Sequence, residues 1–353
     1  MTVTYLYATL LSVFIAQAFS LAPPTLDTVF TVDGQGIGQV AGVDVDSTGD
    51  LFVFHRANRP WDSTTYRPFS NVLSNEARVP VAFDVILKLD PKTGRKISGF
   101  GSNFFNVPHG LTVDNNDNLW VTDTGRHQIF RFAKGQTTPN LELGVKFVPG
   151  SDQQHFCKPT GVAVSSTGVF FVADGYCNSR IIKYSSDAQV LAQWGTVGGR
   201  AGLTPYTLNI PHSIILIEEQ DLVCVADREN SRALCYNAGL KNSTLTGVFN
   251  RTLVPQGNIG KVYGIYNNKA AQEVVAAGVI SLTPYLSGRQ TIYPPRAFIY
   301  NLKGQRQLSF ANITQEMAKL GQSLIHDLCT SRDGQSYYLA DLDQNKVYKY
   351  NKV

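Results

Sequence analysis

Three of the six histidines share one kind of surrounding. They stand in Pro108-His109-Gly110-Leu111, Pro211-His212-Ser213-Ile214 and Ile325-His326-Asp327-Leu328, each directly ahead of an apolar run. Neutral imidazole is a good ligand for borderline metals, and three such nitrogens with a free outer position describe a catalytic zinc better than a closed structural one. The competing reading is that each histidine only caps a strand by hydrogen bonding. Three equivalent placements weigh towards metal.

The placement becomes meaningful once the elements around it are phased. Segments beginning at Gly110, Gly161, Ser213 and Asp327 can be stacked. Each has an apolar strand, a polar turn, a second strand ending near an Asp, a polar loop, and a third strand ending in an aromatic. The first two intervals are 51 and 52 residues, and the third is 114, so a degenerate copy is expected near Tyr263-Gly264-Ile265. A further copy begins at Gly42, 68 residues before Gly110, with a polar insertion around Arg56–Pro80 filling the excess. Six copies of a unit with several strands predict an all-β, six-bladed β-propeller, because one blade cannot bury both its faces alone. The strand near Val29–Val32 is expected to close the ring in the last blade and remove an exposed edge.

In a propeller the first strand of each blade lines the central channel. The histidines open the second, fourth and sixth copies, with Ala41 and Thr160 at the matching places in the first and third. Alternate blades of six stand about 120° apart, so three imidazoles converge on the axis. Residues just after the second strand share that mouth: His55-Arg56, Tyr176 and Arg228, with Arg126 a looser candidate. Guanidinium clamps carboxylate through paired hydrogen bonds, which suggests an anionic substrate. A tyrosine among cations can serve as a general base. Asp327, with carbonyls such as those of Val43 and Leu111, could hold calcium, or could be a hydrogen-bonded strand-start residue.

The rest of the chain sets the setting. It has 353 residues, 43% hydrophobic and 16% charged, with a net charge of +4 that is spread rather than gathered into a basic stripe, which argues against nucleic acid. Residues 1–20 read as a signal peptide, 21–36 as an N-terminal segment and 37–353 as the propeller. Acceptor tripeptides at Asn242, Asn250 and Asn312 agree with a secreted glycoprotein. Five cysteines without a C-x-x-C pair disfavour a thiolate metal site and leave one thiol over. Cys157 with Cys177 and Cys224 with Cys235 would brace site-bearing loops, leaving Cys329 free and buried, but four cysteines allow three pairings.

The stretches FHRANRPWD, VPHGLTVD, PGSDQQHFCKPTGVAV, FVADGYCNSRI, IPHSI, CVADREN and HDL resemble the peptidyl-α-hydroxyglycine α-amidating lyase family, in order from about Gly38 to Tyr350. The resemblance is weakest between Asn237 and Gly321. It implies a propeller of NHL-like repeats and cleavage of the N–Cα bond of a peptide ending in α-hydroxyglycine, giving the peptide amide and glyoxylate. It implies a catalytic zinc on His109, His212 and His326, and a structural calcium on the carbonyls of Val43 and Leu111 and the side chain of Asp327. It gives catalytic roles to Tyr176, Arg56 and Arg228, and pairs Cys157–Cys177 and Cys224–Cys235. Either arginine could take the substrate carboxylate, the other keeping Tyr176 ionised. Leu324 stands where the family usually has Met, and Cys329 has no expected counterpart. The protein is expected to act as a monomer in the secretory lumen or outside the cell, after a separate peptidylglycine monooxygenase. Two other functions compete: a calcium-dependent propeller lactonase, which would need an acidic channel cluster, and a secreted binding propeller whose metal has no open position.

Overall fold

The computed structural model describes residues 22–31, 37–197, 203–279, 281–282, 291–292, 296–311 and 323–353. The proposed signal segment and Asn312 lie outside the described residues. Six four-stranded antiparallel blades surround one axis. The innermost strands, in order, are Val40–Val45, Pro108–Val113, Gly161–Val164, Pro211–Ile217, Lys261–Asn268 and Ile325–Thr330. Each adjoins the next round the ring, and the sixth adjoins the first. The degenerate fifth copy is a full blade starting two residues before Tyr263. The first-blade insertion runs between the strands Leu51–His55 and Ile86–Leu89 and contains the short helix Glu76–Arg78.

The ring closes at the last blade, where Thr25–Phe30 pairs antiparallel with Lys346–Asn351 and supplies its fourth strand. Phe30, only 1% exposed, locks that strand against Val43, Leu89 and Val347. The core lies between blades. Val53 and Leu87 of blade one meet Cys329 and Ala340 of blade six, and Phe54 and Ile86 of blade one meet Val121 and Phe130 of blade two. Such burial contributes roughly 1.5–3 kcal/mol for each large apolar side chain, so each blade is stable only against its neighbours.

The Asp that ends the second strand of four copies has a clear physical role. Asp123 accepts from the backbone N–H of Asn106 at 2.6 Å and Val107 at 3.0 Å, just ahead of Pro108-His109. Asp227 accepts from Asn209 N–H at 2.7 Å, ahead of Pro211-His212, and from Arg232 Nε at 2.7 Å. Asp341 accepts from Leu324 N–H at 3.2 Å, ahead of Ile325-His326. Asp174 does the same for Cys157 at 2.8 Å in blade three, where Thr160 stands at the histidine position. These buried carboxylates fix the chain where it turns into each histidine-bearing strand. The repeated Asp is therefore the positioning device of the repeat.

Cys157–Cys177 and Cys224–Cys235 are disulfide-bonded, and Cys329 is free and buried, matching the pairing that the resemblance implied. Cys224 and Cys235 face each other across the second and third strands of blade four. Cys157–Cys177 ties the approach to blade three to the loop carrying Tyr176. Cross-links closing loops of this size stabilise by about 3 kcal/mol in the chain-entropy model.

Candidate active site

The three histidines meet on the axis. Their ring centroids are 4.8, 4.9 and 4.7 Å apart, a near-equilateral triangle, and their ligand atoms lie within 4.8 Å of one another. The blades between them supply the second partner of each ring. His109 Nδ1 donates to Thr160 O at 2.9 Å, His212 Nδ1 to Tyr263 O at 2.8 Å, and His326 Nδ1 to Ala41 O at 2.7 Å. Thr160, Tyr263 and Ala41 occupy the histidine position of the third, fifth and first blades. The ring thus alternates imidazole and acceptor carbonyl.

That arrangement fixes the tautomer. With Nδ1–H spent on a carbonyl, each Nε2 presents a lone pair to the axis, as metal-binding histidines require. Burial holds all three rings neutral: His109 and His212 lie well below the ordinary imidazole range, and His326 falls to about 3. Close approach is needed for the His109 bond. A Cβ on Gly110 would come within 2.3 Å of Thr160 O, so only glycine lets that carbonyl reach the ring. Three neutral, oriented nitrogens, with no fourth His, Cys, Asp or Glu grouped with them among the described residues, fit zinc with an open position.

Tyr176 closes over the triangle, its hydroxyl 3.0 Å from His109 Nε2 and 3.2 Å from His212 Nε2. Burial raises its pKa, while the charges of Arg228 and Arg56 pull it down. Arg228 Nη1 lies 3.4 Å from the Tyr176 oxygen, and its guanidinium lies between the Tyr176 and Tyr263 rings at 5.3 and 5.1 Å. Glu229 balances it at 2.9 Å and is itself shared with Lys261 at 2.7 Å. Arg56 is different. It is 2% exposed, and burial lowers its pKa to about 10. Its hydrogen bonds go to Pro108 O at 2.9 Å and Gln39 Oε1 at 2.8 Å, and no carboxylate pairs with it among the described residues.

Two expectations are corrected. Arg126 is not at the mouth: its guanidinium bonds to Gln128 Oε1 at 2.9 Å and Phe104 O at 2.9 Å and lies over the Phe104 and Phe130 rings. Its backbone N–H folds back onto Asp123 at 3.0 Å, which turns the side chain outward along the blade. His55 is also structural. Its Nδ1 accepts from Gly38 and Ala57 N–H at 3.2 and 3.1 Å, and its Nε2 donates to Asp84 O at 3.1 Å.

The sequence reading missed Trp61, Tyr263 and Gln39 as site residues. Trp61, in the first-blade insertion, packs on Tyr176 at 4.9 Å, on His109 at 6.2 Å and under the Arg56 guanidinium at 5.1 Å. Lys158 fastens the same insertion by lying over Tyr66 at 3.7 Å and donating to Asn71 at 3.1 Å. Tyr263 was legible by phase, since it stands at the histidine position of blade five.

Below the triangle a channel of about 460 Å³ follows the axis to the opposite face, lined by Asp44, Asp327, Tyr266 and Arg332 among others. Asp327 Oδ2 accepts from Val43 N–H at 3.0 Å, and Gly42 lies against Leu111, so the three expected calcium residues adjoin. Burial raises the Asp327 carboxyl to about 7, with Asp44 adding to the effect.

The NHL repeat family model matches residues 105–132 and 156–184, in blades two and three. The chain is similar to peptidyl-alpha-hydroxyglycine alpha-amidating lyase 2 of Drosophila melanogaster, 35% identical over 94% of this chain and 77% of that protein. It is also similar to peptidyl-glycine alpha-amidating monooxygenase B of Xenopus laevis, 37% identical over 89% of this chain but only 34% of that protein. A probable lyase of the same description from Caenorhabditis elegans is 40% identical over 65% of this chain. Among solved structures, a streptogramin B lyase matches with a TM-score of 0.53 at 14% identity, covering 95% of this chain and 99% of that one, a likeness of fold alone.

Proposed function

The chain belongs to the peptidyl-alpha-hydroxyglycine alpha-amidating lyase family, and from that premise we propose that it is a zinc-dependent lyase that splits C-terminal peptidyl-α-hydroxyglycine into a peptide amide and glyoxylate. The observation that carries this reading is the histidine triangle capped by Tyr176, with an unneutralised arginine beside it.

His109, His212 and His326 would hold the zinc through Nε2. When bound, the metal supplies Lewis acidity that makes the substrate α-hydroxyl easier to deprotonate. Arg56 takes the substrate carboxylate, because it is the buried guanidinium without an acidic partner. Arg228, already balanced by Glu229, lies against the Tyr176 oxygen and favours its phenolate form. Tyr176 accepts the hydroxyl proton. The oxygen then forms the aldehyde double bond, the N–Cα electron pair leaves with nitrogen, and nitrogen gains one proton. No water is consumed.

Calcium on Asp327 with the carbonyls of Val43 and Leu111 would neutralise the channel carboxylate and tie blades one, two and six. The two disulfides support action in the secretory lumen or outside the cell, and Asn242 and Asn250 are exposed, as glycan acceptors must be. No helix among the described residues is long and apolar enough to cross a membrane. A peptidylglycine monooxygenase activity would make the hydroxyglycine-extended substrate. Zinc-loaded protein incubated with α-hydroxyhippurate should release glyoxylate and benzamide in equal amounts, well above the spontaneous rate. Release at the spontaneous rate would remove the lyase reading.

A further inference from the structure

Gln39 lies directly ahead of the innermost strand of blade one, and its side-chain oxygen accepts two hydrogen bonds. One comes from Arg56 Nη1 and the other from Trp61 backbone N–H, both at 2.8 Å. Its backbone carbonyl also accepts from Arg56 N–H at 3.0 Å. A single residue therefore holds the arginine by main chain and side chain and ties it to the aromatic wall. Both acceptors on the guanidinium, Gln39 Oε1 and Pro108 O, are uncharged. They set its direction and leave its charge free, whereas Arg228 is neutralised by Glu229 at 2.9 Å.

We propose that Gln39 is a positioning residue whose neutral amide oxygen aims Arg56 and Trp61 at the substrate carboxylate while keeping the Arg56 charge available to it. This rests on the lyase reading, in which Arg56 binds that carboxylate. A glutamate here would have the same shape but would pair with the guanidinium and compete with the substrate.

A simple loop anchor and a neutral positioner give opposite rankings. An anchor needs only an acceptor, which Gln39→Glu keeps and Gln39→Leu loses. The positioner is damaged more by Gln39→Glu. Both variants of the zinc-loaded full chain are to be compared with wild type for α-hydroxyhippurate turnover, zinc content, Tm, and calorimetric binding of hippurate, the same molecule without its hydroxyl. Gln39→Glu should raise KM and the hippurate Kd about tenfold or more, with kcat within about threefold and zinc and Tm unchanged. Gln39→Leu should raise them less. Hippurate binding by Gln39→Glu as tight as in wild type, or weaker binding by Gln39→Leu, would overturn the proposal. If Gln39→Leu fails to fold, the comparison of Gln39→Glu with wild type decides alone. Wild-type protein that binds hippurate but releases no glyoxylate would sink the lyase reading and leave the Gln39 comparison standing.

Discussion

His212→Ala should give a folded protein that retains no stoichiometric zinc and releases glyoxylate at the background rate. The side chain is 3% exposed, with its Nδ1 proton on Tyr263 O at 2.8 Å and its ring 4.8 and 4.7 Å from the other two. Removing it leaves two ligands where an open catalytic site uses three. The strand should stay in place, because Asp227 still holds Asn209 N–H and the Cys224–Cys235 bridge still braces the blade. Lewis-acid assistance is worth several kcal/mol, so the loss should reach about 10³-fold or more. Zinc content and glyoxylate release, measured on the same preparation with Tm as a control, check this. Unchanged turnover would take His212 out of the metal site.

Tyr176→Phe should separate metal from chemistry. The ring packs between Trp61 and the Arg228 guanidinium, at 4.9 and 5.3 Å, and phenylalanine keeps that packing. Only the hydroxyl is lost, the atom 3.0 and 3.2 Å from two Nε2 nitrogens. Zinc content and Tm should hold, KM should change little, and kcat should fall about 10²–10⁴-fold, the usual contribution of a placed acid–base group. Near-normal kcat would end the assignment of Tyr176 as the base.

Much of this site was legible because the repeat has a phase. Once Gly110, Gly161 and Ser213 are aligned, His109, His212 and His326 fall on alternate blades, and a propeller leaves their rings no direction but the axis. Arg56 and Arg228 were found by the same phase, each following the end of a second strand by one residue. The two errors come from local turn geometry. Strand alternation sends His55 and Arg56 to opposite sides, so only one of the pair reaches the mouth. Arg126 lies three residues past Asp123, and its N–H is drawn into that carboxylate's turn.

Trp61 could not be phased, since it sits in an insertion without a counterpart, and Gln39 falls at a repeat position whose other members, Val107, Lys158, Ile210 and Leu324, share no side-chain chemistry with it. Their role appears only when the insertion folds back over Tyr176. The role of the alternate blades was also hidden in the sequence. The Nδ1 partners are backbone carbonyls, which any residue type supplies, as Ala41, Thr160 and Tyr263 show.

The central claim is an open metal site on three imidazoles, and anomalous diffraction at the zinc edge from crystals of the purified protein tests it directly. The account predicts one strong peak on the axis at about 2.0–2.1 Å from the Nε2 atoms of His109, His212 and His326, with no fourth protein ligand. A peak held by four protein groups, or no peak between those histidines in zinc-loaded crystals, would contradict it.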